Sequence, residues 1–192
     1  MIKLKKQQTI QKQEIQTERK SRKGSGDAVK KLARSGITAA LYAVLTIVLQ
    51  PISYGAVQCR VSEIFTLLPV FSSSSIPGLA VGCFAANIFS TVSPLDMIFG
   101  TAATIIAAIL TRAFKNKRIF GIPLLSMLMP VIVNGLIIGA EITFFTDAAA
   151  GLTAFLASAG SVAAGELIPC VVLGIPFYQI IQKTRLKTIL CD

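Results

Sequence analysis

The chain has 192 residues, 53% of them apolar and only 15% charged, with mean hydropathy +0.69 and a formal net charge of +10. So apolar a chain has too little wetted surface for a soluble domain. It carries no GxxxxGK[ST] nucleotide-binding loop, so uphill transport would need another chain to supply the energy.

The cations are not spread out. Of the nineteen Lys and Arg, eleven lie at or before Arg34, four lie from Arg112 to Arg118, three lie from Lys183 to Lys187, and the last is Arg60. Long apolar runs separate these groups. A polytopic membrane protein keeps its Lys and Arg on the cytoplasmic side, so the charge is first a topology signal.

Residues 1–30 are rich in Lys, Gln, Glu and Ser, with Gly24-Ser25-Gly26 as a hinge. This composition predicts a basic cytoplasmic tail, disordered or loosely helical, attracted to anionic lipid. No aromatic residue interrupts the basic run to stack on bases, so nucleic acid is not an expected partner. A membrane domain is expected over 31–182, followed by a short cytoplasmic tail over 183–192.

A spanning helix needs about 20 apolar residues. The first candidate runs from about Ser35 to Leu49 or Pro51. The second, Val61 to Phe71, is short and contains Pro69. The third runs from Ile76 to about Phe89, the fourth from Leu95 to Leu110, the fifth from Phe120 or Gly121 to Phe145, and the sixth from about Leu152 to Ile181. The links are brief: Ser72 to Ser75, Ser90 to Pro94, and Asp147 to Gly151. Placing the tail and the loop at Arg112 on one side requires an even number of crossings between them, so the short second segment must cross. The expectation is an all-α membrane protein with six transmembrane helices and both termini cytoplasmic.

This orientation puts Gln58, Arg60, Glu63, Asn87, Asn134, Glu141 and Glu166 in the outer half of the membrane. Asn134 and Glu141 are two turns apart and share a face. Buried ionisable groups are costly unless paired or wetted, and an outward-facing cavity would account for all seven. Asp96 is set apart, because it follows Pro94 and suits a helix N-cap. A pairing of Arg60 with Glu63 or Glu141 is the structural alternative. Carboxylates and amides in a small apolar cavity suit a planar, hydrogen-bonding solute, with Phe65, Phe84, Phe89 and Phe144 as candidate ring faces. There is no His, and Cys59, Cys83, Cys170 and Cys191 form no CxxC pair, so neither a metal nor another cofactor is expected. The absence of a nucleophile–base motif argues against an enzyme. In the first helix, Gly36 with Ala40 and Ala39 with Ala43 form small-residue pairs that permit close helix approach.

Several stretches resemble one family. They are Ala40-Leu41-Tyr42-Ala43-Val44-Leu45-Thr46, Pro51-Ile52-Ser53-Tyr54-Gly55, Val57-Gln58-Cys59-Arg60-Val61-Ser62-Glu63, Ile76 to Cys83, Asp96 to Thr101, and Pro130-Val131-Ile132-Val133-Asn134-Gly135. Over about Ala33 to Ile181 the chain is similar to the QueT family of queuosine-precursor transporters, the substrate-binding S components of energy-coupling factor (ECF) transporters. The resemblance implies an S-component-like bundle of six helices and a 7-deazaguanine substrate. It also implies two kinds of partner, a transmembrane T component and two ABC-type ATPases. Ala39 and Ala43 match the family's Ala-x-x-x-Ala motif, which meets the T component. An autonomous secondary carrier is the alternative, although the chain shows no clear inverted repeat.

Overall fold

The computed structural model describes residues 2–53, 59–90, 94–146 and 151–190. The chain divides into two compact units, 1–33 and 34–192. Residues 2–33 are helical, and they form the first part of α1 (Ile2–Val48). The rest of α1 belongs to the second unit, where a short α2 (Gln50–Ser53) follows it.

The second unit continues with a 3-10 helix over Val61–Val70, then α3 (Ser75–Asn87), α4 (Asp96–Ala113) and α5 (Leu124–Glu141). A π-helical segment, Ile142–Thr146, extends α5. Next come α6 (Leu152–Leu167), a second π segment over Ile168–Val172, α7 (Gly174–Lys183) and α8 (Leu186–Leu190). No strand occurs among the described residues, and a single bridge joins Ile119 to Ile122. The fold is an all-α membrane bundle.

Four helical stretches are long and apolar enough to cross a membrane: Gly24–Val48, Asp96–Ala113, Leu124–Phe145 and Leu152–Lys183. The second and third expected spans are shorter helices, Val61–Val70 and Ser75–Asn87. The Val61 segment winds as a 3-10 helix with Pro69 inside it. Its tighter rise of about 2.0 Å per residue makes ten residues reach about 20 Å, where an α-helix would reach about 15 Å. The expected start of the fifth helix at Phe120 or Gly121 is corrected to Leu124. Phe120 (φ 52) and Gly121 (φ 80) lie in the left-handed region and close a tight turn instead.

Proline shapes the long helices. Pro130 lies inside α5 and has no N–H to give to the carbonyl of Ser126. Thr111 Oγ1 on α4 donates to that carbonyl at 3.0 Å, so the neighbouring helix satisfies it. Arg112 Nη1 likewise donates to the carbonyl of Pro69, at 3.0 Å, near the end of the 3-10 helix. Pro169 sits at the start of the second π segment, where a widened turn replaces the lost helical bond.

Within the second unit, α1 and α3 approach with almost no space between backbones. A Cβ at Gly78 would lie 2.3 Å from the carbonyl oxygen of Ser35, and one at Gly82 would lie 2.7 Å from that of Ala39. One apolar cluster groups Tyr42, Leu79, Cys83 and Ala108. A second groups Ala103, Ala107, Val133, Ile138 and Val162. A third, toward the cationic end, groups Leu67, Leu68, Phe71, Met127, Tyr178 and Ile181. Val44, Val81, Ile98, Ile109, Ile132 and Leu136 face outward, as residues in contact with lipid do.

Candidate functional site

The site begins with α1. Thr38, Tyr42 and Thr46 recur every four residues and share one face, and all three are buried. Tyr42 donates its hydroxyl proton to Glu63 Oε1, and Thr46 Oγ1 lies 2.6 Å from Ser62 Oγ. These bonds fix the first turn of the 3-10 helix against α1. They also aim Glu63 at the middle of the bundle, where its side chain is fully buried.

Glu166 on α6 meets Glu63 there. Ligating atoms of Glu63, Glu166 and Cys170 all lie within 4.8 Å of one another. Cys170 Sγ is 3.6 Å from Glu166 Oε2, one helical turn away. Asn134 on α5 stands beside both carboxylates, and the Arg60 guanidinium acts on both. Glu63 Oε2 is buried with no hydrogen-bond donor on it. Two carboxylates and a thiolate could also hold a divalent ion that accepts both oxygen and sulfur ligands. Sequence pattern alone hides this set as a possible metal site, because it contains no His and no CxxC pair and its members meet only through the fold.

A second layer lies nearer the starts of the 3-10 helix and α4. Arg60 Nη2 is 3.5 Å from Asp96 Oδ2, and both side chains are buried. Ser90 donates to the same Asp96 oxygen. Asn87 Nδ2 donates to the main-chain oxygen of Asp96 at 2.8 Å and lies 3.4 Å from Cys83 Sγ, which Thr104 Oγ1 also approaches at 3.2 Å. Gly100 leaves the space for this: a Cβ there would lie 2.5 Å from Asn87 Nδ2 and 3.4 Å from Arg60 Nη1.

One sequence reading is corrected by this layer. Asp96 makes no side-chain cap bond, because Leu95 occupies the cap position and Asp96 turns inward to Arg60. Arg60 forms an ion pair with Asp96, a partner that the sequence did not suggest. Arg60 still links the layers, since its charge acts on Glu63 and Glu166 below.

The other expected residues distribute as follows. Arg60, Glu63, Asn87, Asn134 and Glu166 all converge in the two layers. Glu141 is buried at the end of α5, two turns beyond Asn134 on the same face. Gln58 lies outside the described residues, as do 91–93 and 147–150, so the expected outward mouth of a cavity falls on chain that is not described. Phe84, Phe89 and Phe144 are exposed, as lipid-facing rings are, whereas Phe65 is half-buried and packs edge-on to Phe177. Ala39 and Ala43 are half-buried, and the backbone of Ala39 packs on Gly82; Gly36 and Ala40 are exposed. The site residues that sequence reasoning missed are Tyr42, Ser62, Cys83 and Cys170. The four-residue spacing of Thr38, Tyr42 and Thr46 in an apolar helix was the available signal for the first.

The QueT transporter family matches residues 32–183. A stretch of 72 residues is 38% identical to the queuosine precursor transporter QueT of Lactococcus lactis subsp. cremoris (strain MG1363). That stretch covers 36% of this chain and 42% of the relative, less than half of its length. No solved structure matches the chain. With the family match extending from the first apolar helix to the end of the last, this multi-pass protein of the bacterial plasma membrane belongs to the QueT transporter family.

Proposed function

We propose that the chain is the substrate-binding S component of an ATP-driven ECF importer, and that it captures a 7-deazaguanine such as 7-cyano- or 7-aminomethyl-7-deazaguanine. The observation that carries this reading is the buried meeting of Glu63, Asn134 and Glu166. One cation, Arg60, serves a cluster that also contains Asp96, so the carboxylates exceed the charge available to them. A guanine-like edge presents parallel N–H donors. Glu63 Oε2 has no donor of its own and is suited to receive one. Asn134 offers both a donor and an acceptor to the remaining edge of such a ring.

Family membership supports transport, and the charge bias supports six crossings with both ends in the cytoplasm. The site then opens toward the exterior. A T component and two ABC-type ATPases would supply the energy, in line with the family resemblance, and toppling of the loaded subunit would release the solute inside. The first helix carries the partner contact in this reading, through Ala39 and Ala43. Substituting Ala39→Leu should leave solute binding intact and lower the yield of T component in a pull-down.

Native mass spectrometry of the gently purified chain tests the capture step, and a retained mass equal to a 7-deazaguanine is the expected result. Reconstituted uptake tests the coupling. Accumulation should need the T component, the ATPases and ATP. Accumulation by this chain alone under a pH gradient would instead establish the secondary carrier.

A further inference from the structure

One end of the bundle carries a basic surface that solute capture does not use. Two adjoining recesses of ≈430 and ≈250 Å³ share Arg118 and Gln182 in their walls. Lys183 lines the larger, and Lys115 and Lys187 line the smaller. Gln182 is half-buried and is held in place by its 3.0 Å bond to Tyr178 Oη, so the amide between the two recesses is fixed. Among the described residues no Asp or Glu lines either recess.

Beside these recesses the chain presents an aromatic ring to the outside. Phe120 is 98% exposed, at the tip of the turn closed by the Ile119–Ile122 bridge. Its φ of 52 is a conformation that bulky residues rarely adopt and that Asn or Gly takes more readily. A sequence selected only for an aqueous turn would not place Phe here. In a membrane protein, the same ring at the boundary between headgroups and chains is stabilised by burial, and neighbouring cations meet lipid phosphates.

We propose that this end of the bundle is a binding site for the phosphate headgroup of an anionic phospholipid. Arg118 with Lys115 grips the phosphate, Lys183 and Lys187 complete the positive rim, and Phe120 anchors the turn in the same leaflet. The ligand is a lipid and not a free anion, because the exposed ring adds an apolar attachment that inorganic phosphate cannot use. The site is built from residues of the second unit, and it does not depend on the identity of the transported solute.

The test uses the full chain in nanodiscs of phosphatidylcholine mixed with anionic phosphatidylglycerol, followed by native mass spectrometry of the released protein. Wild type should retain phosphatidylglycerol over phosphatidylcholine at least fivefold above their mixing ratio. The combined variant Lys115→Gln, Arg118→Gln, Lys183→Gln and Lys187→Gln should lose that preference. Lys30→Gln with Lys31→Gln, in the other unit, should keep it. Phe120→Asn suits the turn's backbone and so preserves the fold, and it should lower retention at least twofold with every cation present. Equal retention of both lipids by wild type would overturn the proposal, as would an unchanged preference in the four-site variant. Full displacement of the lipid by millimolar inorganic phosphate would show a free-anion site and overturn the lipid assignment. Loss of a co-purifying polypeptide from the four-site variant, with lipid retention intact, would make this face a protein interface and overturn it too.

Discussion

Tyr42 on α1 donates its hydroxyl to Glu63 Oε1 on the 3-10 helix, a bond across 21 residues of sequence between two fully buried side chains. It is the link by which the first helix fixes the carboxylate at the centre of the site. Tyr42→Phe removes the donor and leaves the oxygen buried without one. A loss of about 1–3 kcal/mol in stability is expected. Thermal unfolding in detergent should show a lower Tm, and 7-deazaguanine affinity should fall with it. An unchanged Tm would mean that the bond does not hold this turn.

The α1–α3 contact predicts a contrast between two glycines. Gly82→Ala forces a Cβ to within 2.7 Å of the main-chain oxygen of Ala39, where a backbone and not a flexible tip must yield. Overpacking of this kind costs about 1–3 kcal/mol. Gly36→Ala, on an exposed part of the same α1, meets nothing within 4 Å. The first substitution should lower the Tm of the purified chain and the second should leave it within error or raise it slightly. Equal Tm values for both variants would refute the close approach.

Gly100 governs the second layer. A methyl group at that position would press on Asn87 Nδ2, which donates to the main-chain oxygen of Asp96. Gly100→Ala should therefore displace Asn87 and disturb the nearby Arg60–Asp96 pair. The expected result is a several-fold weaker affinity for 7-deazaguanine with the chain still folded. Titration of the purified variant checks it, and wild-type affinity would show that the second layer is decoupled from the solute.

Much of the architecture could be read from the chain because lipid imposes a simple rule. Apolar runs with few charges reveal helices directly, and α4, α5 and the long α6–α7 stretch follow that pattern. The winding of Val61–Val70 was not legible, since periodicity in ten apolar residues cannot separate a 3-10 helix from an α-helix. Phe120 looked apolar enough to start α5, and only its backbone angle shows that the chain is turning there. Depth brought Arg60, Glu63, Asn87, Asn134 and Glu166 together before any contact was known. Their partners were hidden, because Asp96 resembles a helix cap and Tyr42 and Cys170 resemble helix fillers. Pairings between residues 36 or 107 positions apart are set by the packing of several helices, and no local pattern encodes them.

The central claim is that a guanine-like ring is held by the Glu63–Asn134–Glu166 group, and isothermal titration of the full purified chain with 7-aminomethyl-7-deazaguanine tests it most directly. Wild type should bind one equivalent. Glu166→Gln keeps the shape and removes the charge, and it should bind about tenfold or more weakly, since a hydrogen bond to a charged group contributes about 1.5–3 kcal/mol and a tenfold change corresponds to about 1.4 kcal/mol. Binding of the variant at wild-type strength would contradict the assignment of the site, and no binding by wild type would contradict the assignment of the solute.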